Sequence, residues 1–262
     1  VLDDFSTAGI SHIIALSGFN IAVIFTSLEI VLLRLRLPRA GRVWLMLAIM
    51  TAFVVLVGAA SSIVRAAAMG ALAIVGRLFG RRPQAMRLLA ISAAAMITAN
   101  PYVLLYDAGF QLSCLATAGI LTLSDRFAHW CRWIPERFSL RSSLSTTLAA
   151  SAPTLLLLMY QFERWSVVAP LTNMLVLPLI PWLMAISAVA AACSMLLPFR
   201  PIALLLAYVT MLGCDYILHI SAWFAALPFA ASAITLSTPM LFVSLFLLCL
   251  WMFYETNRKK VH

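Results

Sequence analysis

The chain has 262 residues, of which 64% are hydrophobic and 10% charged, with a mean hydropathy of +1.02. A water-soluble fold of this length needs a polar exterior, and nine acidic with eighteen basic side chains cannot supply one. The formal charge of +9 is gathered into a few short clusters, a pattern of cytoplasmic loops before it is one of a nucleic-acid patch.

The chain opens on Val1 with Asp3 and Asp4 where a basic n-region would stand, so no secretory signal peptide is predicted and Val1 reads as a domain boundary. Apolar runs that suit a hydrocarbon core of about 30 Å, at about 20 residues each, then follow at 13–33, 43–59, 63–79, 88–99, 103–123, 145–162, 167–197, 202–226 and 234–254. They predict an all-α integral membrane protein, a single polytopic bundle of about nine transmembrane helices over residues 1–262. The run 88–99 is short for a span. The run 167–197 holds Pro170, Pro178 and Pro181, and proline removes a backbone donor and bends a helix, so a broken or re-entrant segment is expected there. Of the five cysteines, Cys114, Cys193, Cys214 and Cys249 lie in apolar runs and Cys131 outside them. They read as small buried side chains, not as a disulfide framework or a metal site.

Orientation follows from the basic residues, which gather in cytoplasmic loops. With the N-terminus outside, every Lys and Arg except Arg65 and Arg164 falls in an inner loop or the C-terminal tail, and the reverse orientation leaves those two alone inside. An outer N-terminus and a cytoplasmic C-terminus are therefore predicted. One crossing fewer in 167–197 would turn the tail over without changing the first half. The segment 125–141, DRFAHWCRWIPERFSLR, mixes Phe, Trp and Arg around Pro135 and reads as lying flat at the inner interface. A contact for a cytoplasmic partner or nucleic acid is the competing reading.

Polar side chains inside apolar runs cost several kcal/mol in hydrocarbon unless partnered or hydrated, and here they share one level. In the predicted orientation Ser11, His12, Ser17, Asn20, Ser61, Ser62 and Arg65 fall in the outer half of the membrane. Asn100, Asp107, Gln111, Ser113, Asn173, Asp215 and His219 fall there too, and Glu163 with Arg164 joins two runs at the same side. A polar vestibule open to the outside is the functional reading. Interhelical hydrogen bonds, each worth about 1 kcal/mol, explain Ser17, Ser113 and Asn173 equally well. Arg65 needs a counter-charge or a water path, and Asp107 is the expected partner, with Asp215 behind it. Gly18, Gly58, Gly70, Gly109 and Gly119 with Ala59, Ala60 and Ala66–Ala68 read as close-packing positions. Glu29 is expected to reach toward Arg34 and is given no role.

Read in order, GISHIIALSGFNI (9–21), SSIVRAAAM (61–69), NPYVLLYDAGFQLS (100–113) and NMLVLPLI (173–180) resemble the transmembrane competence domain of the ComEC family, from about residue 3 to 250. The resemblance implies an inner-membrane channel through which one strand of DNA enters the cytosol in natural transformation. By motif it assigns His12, Ser17, Gly18 and Asn20 to the first block and Arg65 to the second. Asp107, Gly109, Phe110, Gln111 and Ser113 belong to the third, and Asn173 and Pro178 to the fourth. Of these, His12, Ser17, Asn20, Arg65, Asp107, Gln111, Ser113 and Asn173 would line the DNA path, while Gly18, Gly109, Phe110 and Pro178 would shape it. Asn20 stands where many relatives carry histidine, and Cys114 where an aromatic is common. Neither an OB-like nor a metallo-β-lactamase-like domain is legible. His12, His129, His219 and His262 lie far apart with no H-x-H-x-D-H cluster, so no nuclease activity, metal or cofactor is expected.

A path for a polyanion must lower the desolvation cost of each phosphate without trapping it, which one or two cations do better than a dense stripe. Arg65 and Arg164 could draw phosphates in, with Asn20, Gln111 and Asn173 replacing water. Phe19, Phe110, Trp165 and Trp182 offer stacking surfaces, although Trp165 and Trp182 read better as lipid-facing or core. No G-x-x-x-x-G-K-S/T motif is present, so the family resemblance points to a cytoplasmic helicase-like ATPase on the basic inner loops and to an extracellular DNA receptor. One chain or a homodimer could form the channel. Two other classes stay open: an intramembrane serine protease using Ser17 and His219, and a small-solute transporter built on the proline-broken segment with Asn173.

Overall fold

Backbone groups in hydrocarbon find no water, so a chain this apolar must pair them within its own helices. The structure, a computed structural model, describes residues 2–10, 18–34, 38–136, 139–161, 165–195, 199–232, 240–241, 243–244, 246–248 and 250–251. The chain runs α1 (Leu2–Thr7), α2 (Gly18–Arg34), α3 (Arg39–Leu56), α4 (Ser61–Leu78), α5 (Ala85–Ala99), α6 (Val103–Tyr106), α7 (Ala108–Trp130) and α8 (Leu140–Gln161). There follow β1 (Trp165–Ser166), α9 (Ala169–Val176), α10 (Ile180–Ser194), α11 (Arg200–Ala225) and β2 (Ala231–Ser232). The two strands are a two-residue antiparallel bridge, Trp165 opposite Ser232 and Ser166 opposite Ala231.

Helices α3, α4, α8 and α11 are long and apolar enough to cross a bilayer, and α9 with α10 makes a fifth candidate bent by 41°. The chain is an all-helical membrane protein. The described helices account for four or five of the nine predicted crossings. The run 103–123 divides at Asp107, where α6 ends and α7 begins. Helix α5 begins three residues before its run and, at 15 residues, is still short for a span. The first run enters the described structure only at Gly18, and 234–254 lies largely outside it. The bend in 167–197 falls at residues 177–179, with Pro178 inside it, while Pro170 and Pro181 occupy the first turns of α9 and α10. There the missing proline donor is one the helix leaves unpaired anyway.

By its contacts the chain divides into two compact units, residues 15–121 and residues 1–14 with 122–262. In the first, α2, α3 and α5 all pack on α4. The sequence RAAAMGALA (65–73) makes this feasible, because small side chains let helices approach where lipid supplies no hydrophobic drive. Ile21, Phe25, Leu32, Met46, Met50 and Ile63 form the core there, with Ala66, Ala67 and Ala71 against it. Glu29 binds Arg77 of α4, Nη1 to Oε1 at 2.9 Å, and not the expected Arg34.

In the second unit α1 and α10 pack on α11, and α9 packs on α8. Phe5, Ala8, Ile10, Val168, Val176, Ile180, Ile217 and Phe224 form its core. Helix α8 is the most buried of the candidate spans, and Pro153 lies fully buried within it. In the segment 125–141 helix α7 continues to Trp130, where Arg126 stacks 5.5 Å from the ring centroid, and Cys131 and Ile134 then turn in against Leu144. Its Arg137 lies outside the described residues.

Gly9 follows α1 at φ +74°, and a Cβ there would run into the side chain of Ala169. Gly9→Ala is expected to destabilise by roughly 2 kcal/mol or more, the left-handed penalty plus overpacking. Gly76→Ala, whose Cβ would meet nothing within 4 Å, should instead stabilise by up to about 1 kcal/mol. Thermal unfolding in detergent, followed by circular dichroism, reads both; equal melting points for the two variants would contradict the packing at Gly9.

Candidate functional site

Arg65 is the most demanding side chain in the first unit: a guanidinium one turn into an apolar helix, 5% exposed. Its partners are hydroxyls. Nε donates to Ser113 Oγ at 3.0 Å and Nη1 to Thr117 Oγ1 at 2.6 Å, both on α7, and Nη1 also points at Met69 Sδ at 3.6 Å. Each hydroxyl passes its own proton back along the helix, Ser113 to the Phe110 carbonyl at 3.0 Å and Thr117 to the Ser113 carbonyl at 2.8 Å. The lone pairs facing Arg65 are thereby polarised by helix carbonyls. Among the described residues no carboxylate pairs with Arg65. The expected partner, Asp107, is engaged elsewhere.

Asp107 is the N-cap of α7. Its Oδ1 accepts the Phe110 backbone N–H at 2.9 Å, the N3 position, and the Ser61 hydroxyl at 3.0 Å. A carboxylate at a helix N-terminus is stabilised by the unpaired amides and the macrodipole, so it has no need of the arginine. Gly109 explains itself at this joint: a Cβ would stand 3.0 Å from Ser61 Oγ and 3.1 Å from Asp107 Oδ1. Gly18 does likewise one turn deeper, where a Cβ would come within 3.4 Å of Arg65 Nη2 and 3.3 Å of Ala66 Cβ. Phe110 is 3% exposed and belongs to the core, so it offers no stacking surface. Gln111 donates Nε2 to the carbonyls of Leu104 at 2.7 Å and Leu105 at 3.1 Å, which ties α6 to α7.

The third motif and Arg65 are therefore one constellation. Ser61 meets Asp107, and Arg65, four residues on, meets Ser113 and Thr117, so α4 and α7 run in the same direction. Thr117 was missed in the sequence, though its i,i+4 spacing from Ser113 on one helical face was the available signal. His12 and Ser17 lie outside the described residues, as do the side chains of Phe19 and Asn20, and Glu163, Arg164 and the Trp165 side chain.

In the second unit Asn173 is 4% exposed on α9, and its Oδ1 finds no hydrogen-bond partner among the described residues. Pro178 stands one turn later in the bend. His219 turns its ring to the backbone carbonyl of Asp215, Nδ1 to O at 2.7 Å, which uses the four-residue spacing without the Asp215 carboxylate. Trp182 is largely exposed, as a lipid-facing side chain would be. No three His, Cys, Asp or Glu side chains gather among the described residues, so no metal site is assigned.

These features define an all-helical membrane protein with a hydroxyl-solvated arginine inside one of its helical units. Residues 1–259 match the family described as Competence protein, and the chain belongs to that family. It is 29% identical over 190 residues to ComE operon protein 3 of Bacillus subtilis (strain 168), a match that covers 72% of this chain and 24% of that protein. The chain thus spans about a quarter of the length of that relative. No solved structure matches.

Gly109→Ala is expected to push Ser61 off Asp107 and to cost about 1.5 kcal/mol, the worth of one hydrogen bond to a charged group at its lower end. Ser61→Ala should cost about as much, and the double variant little more than either, because both remove the same contact. Melting temperatures of the three variants test this; additive losses would show that the two residues act separately.

Proposed function

We propose that the chain forms the membrane path by which one strand of incoming DNA enters the cytosol during natural transformation. Membership of the competence family supports the broader part of this reading, a role in competence and DNA uptake. The single observation that carries the finer part is Arg65, a buried cation held by hydroxyls and not by a carboxylate. A salt bridge to Asp107 would have neutralised it. Left to Ser113 and Thr117, the guanidinium keeps its net charge and offers Nη2 to a passing oxyanion. Phosphodiesters suit such a group, because one cation lowers the cost of each phosphate in turn without the additive hold of a basic stripe.

Orientation belongs to the same reading: the N-terminus outside, Ser61 and Asp107 at the outer end, and the basic loops inside. The shared direction of α4 and α7 supports this reading. Asn173, buried with an open acceptor beside the bend, is a second polar position for the path. The partners proposed are single-stranded DNA, a cytoplasmic helicase-like ATPase on the inner loops, an extracellular DNA receptor and a second copy of the chain. The chain itself is proposed to be a conduit and not an enzyme. A small-solute transporter is the competing reading, and the bend beside Asn173 is the observation that favours it.

The test replaces the gene in a transformable host and follows labelled DNA. Arg65→Ala at wild-type abundance should leave DNA bound at the surface and lower cytosolic entry about tenfold or more, as loss of a hydrogen bond to a charged group implies. Arg65→Lys should restore part of it, since lysine keeps the charge and loses the fork. Entry that is unaffected by deletion of the gene would overturn the channel reading, and solute uptake lost with Asn173→Leu while DNA entry persists would favour the transporter.

A further inference from the structure

The basic residues of the first unit do not all sit in open loops. Where the C-terminal ends of α2 and α4 meet the N-terminal end of α3, a cleft of about 200 Å³ is lined by Arg39, Arg42 and Arg77 with a single acid, Glu29. Two of the three arginines have partners: Arg77 binds Glu29 at 2.9 Å, and Arg39 Nη2 donates to the Arg77 carbonyl at 2.6 Å. Both contacts organise the cleft. The Arg42 side chain has no hydrogen-bond or ion-pair partner among the described residues, and its neighbour in the sequence, Val43, lines the cleft with it. The rest of the wall is apolar, Leu32, Met46, Ile74 and Leu78 among it, and it continues to Leu33, which is 59% exposed. Trp44, 70% exposed one residue further on, suits headgroup depth.

We propose that this cleft is a binding site for an anionic phospholipid, whose headgroup phosphate sits between Arg42 and Arg39 and whose acyl chain lies along Leu33 and the apolar wall. Three arginines against one glutamate leave a cationic excess, and the single charge of a phosphate diester offsets part of it. Basic pockets between helix ends are where such headgroups are held. The apolar wall decides between a lipid and a nucleic-acid strand. A strand of phosphates wants a polar groove that tracks it, whereas one phosphate beside hydrocarbon is the chemistry of a lipid. The inference needs the chain to lie in a membrane and is independent of what passes through it.

The experiment uses the full chain purified in neutral detergent, with native mass spectrometry to count bound dioleoyl phosphatidylglycerol against dioleoyl phosphatidylcholine. Wild type should retain one phosphatidylglycerol and no phosphatidylcholine, and neither inorganic phosphate nor an oligothymidylate should displace it. Arg42→Gln should weaken retention several-fold and Arg42→Lys should recover part of it, one basic residue near a lipid surface being worth about a factor of five. Val43→Phe, which fills the cleft without touching a charge, should lose the lipid even if Arg42→Gln proves unstable. Equal retention of the two lipids, or retention unchanged in both Arg42→Gln and Val43→Phe, would overturn the site. Displacement by phosphate alone would reduce it to a simple anion site, and displacement by the oligonucleotide would give it to the strand; either result overturns the lipid assignment.

Discussion

A guanidinium inside an apolar helix must be solvated by something, and in this chain that requirement shapes the surroundings of Arg65. Placing arginine at the centre of a membrane helix costs about 2.5–3.5 kcal/mol on insertion scales. Two hydroxyls on α7 meet the cost in part, each with its proton committed to a helix carbonyl and its lone pairs toward Arg65. For this to work α7 must lie beside α4 in the same direction and in one register. The joint at Ser61 and Asp107 sets that register, and glycine at 109 gives the joint room. Charge, capping and close packing are thus three parts of one solution.

Much of this was legible in the sequence, and the part that was not has a physical reason. Helicity, the membrane environment, the break near Pro178 and the importance of Arg65 follow from composition, proline chemistry and the cost of an intramembrane charge. The pairing of Arg65 with Asp107 was a reasonable inference from charge and depth, and it fails because Asp107 has a stronger claim on it. A helix beginning at Ala108 presents unpaired amides, and a carboxylate one residue before it caps them without any side chain from elsewhere. Likewise Glu29 and Arg34 look like partners in sequence, but helix packing brings Arg77 to Glu29. Long-range proximity is the information a single sequence lacks. Thr117 was hidden for the converse reason: a hydroxyl in a run of apolar residues looks like a helix-bonded side chain, which it is, and its acceptor function shows only when the arginine arrives.

The run lengths were the least reliable guide. A stretch of 20 apolar residues says that a span is affordable in hydrocarbon, not that one helix fills it. At 103–123 one acidic residue divides the run, and at 167–197 a proline turns it by 41°. Interruptions of this kind are tolerated in a membrane protein only where the freed backbone groups find partners. Gln111 supplies donors to two carbonyls at the first. At the second, the prolines of α9 and α10 occupy positions that need no donor.

The arginines of the first unit separate by what holds them. Arg77 is bound by a carboxylate and is committed to the protein, whereas Arg39 donates one N–H to the carbonyl end of α4 and keeps its charge. Among the described residues Arg65 is solvated by hydroxyls with no carboxylate beside it, and the Arg42 side chain has no partner. A cation already neutralised gains little from a phosphate, since its counter-ion must be displaced first, whereas one held only by dipoles gains the full interaction. Two such cations at different positions along α4 and α3 suit two different anions. Arg65 is enclosed, with hydroxyls that hold its geometry, which suits the transient contact proposed for it. Arg42 lies at a helix end beside an apolar wall, where a ligand with a hydrocarbon chain can stay. The difference between passage and residence is set by what surrounds each charge and not by the charge itself.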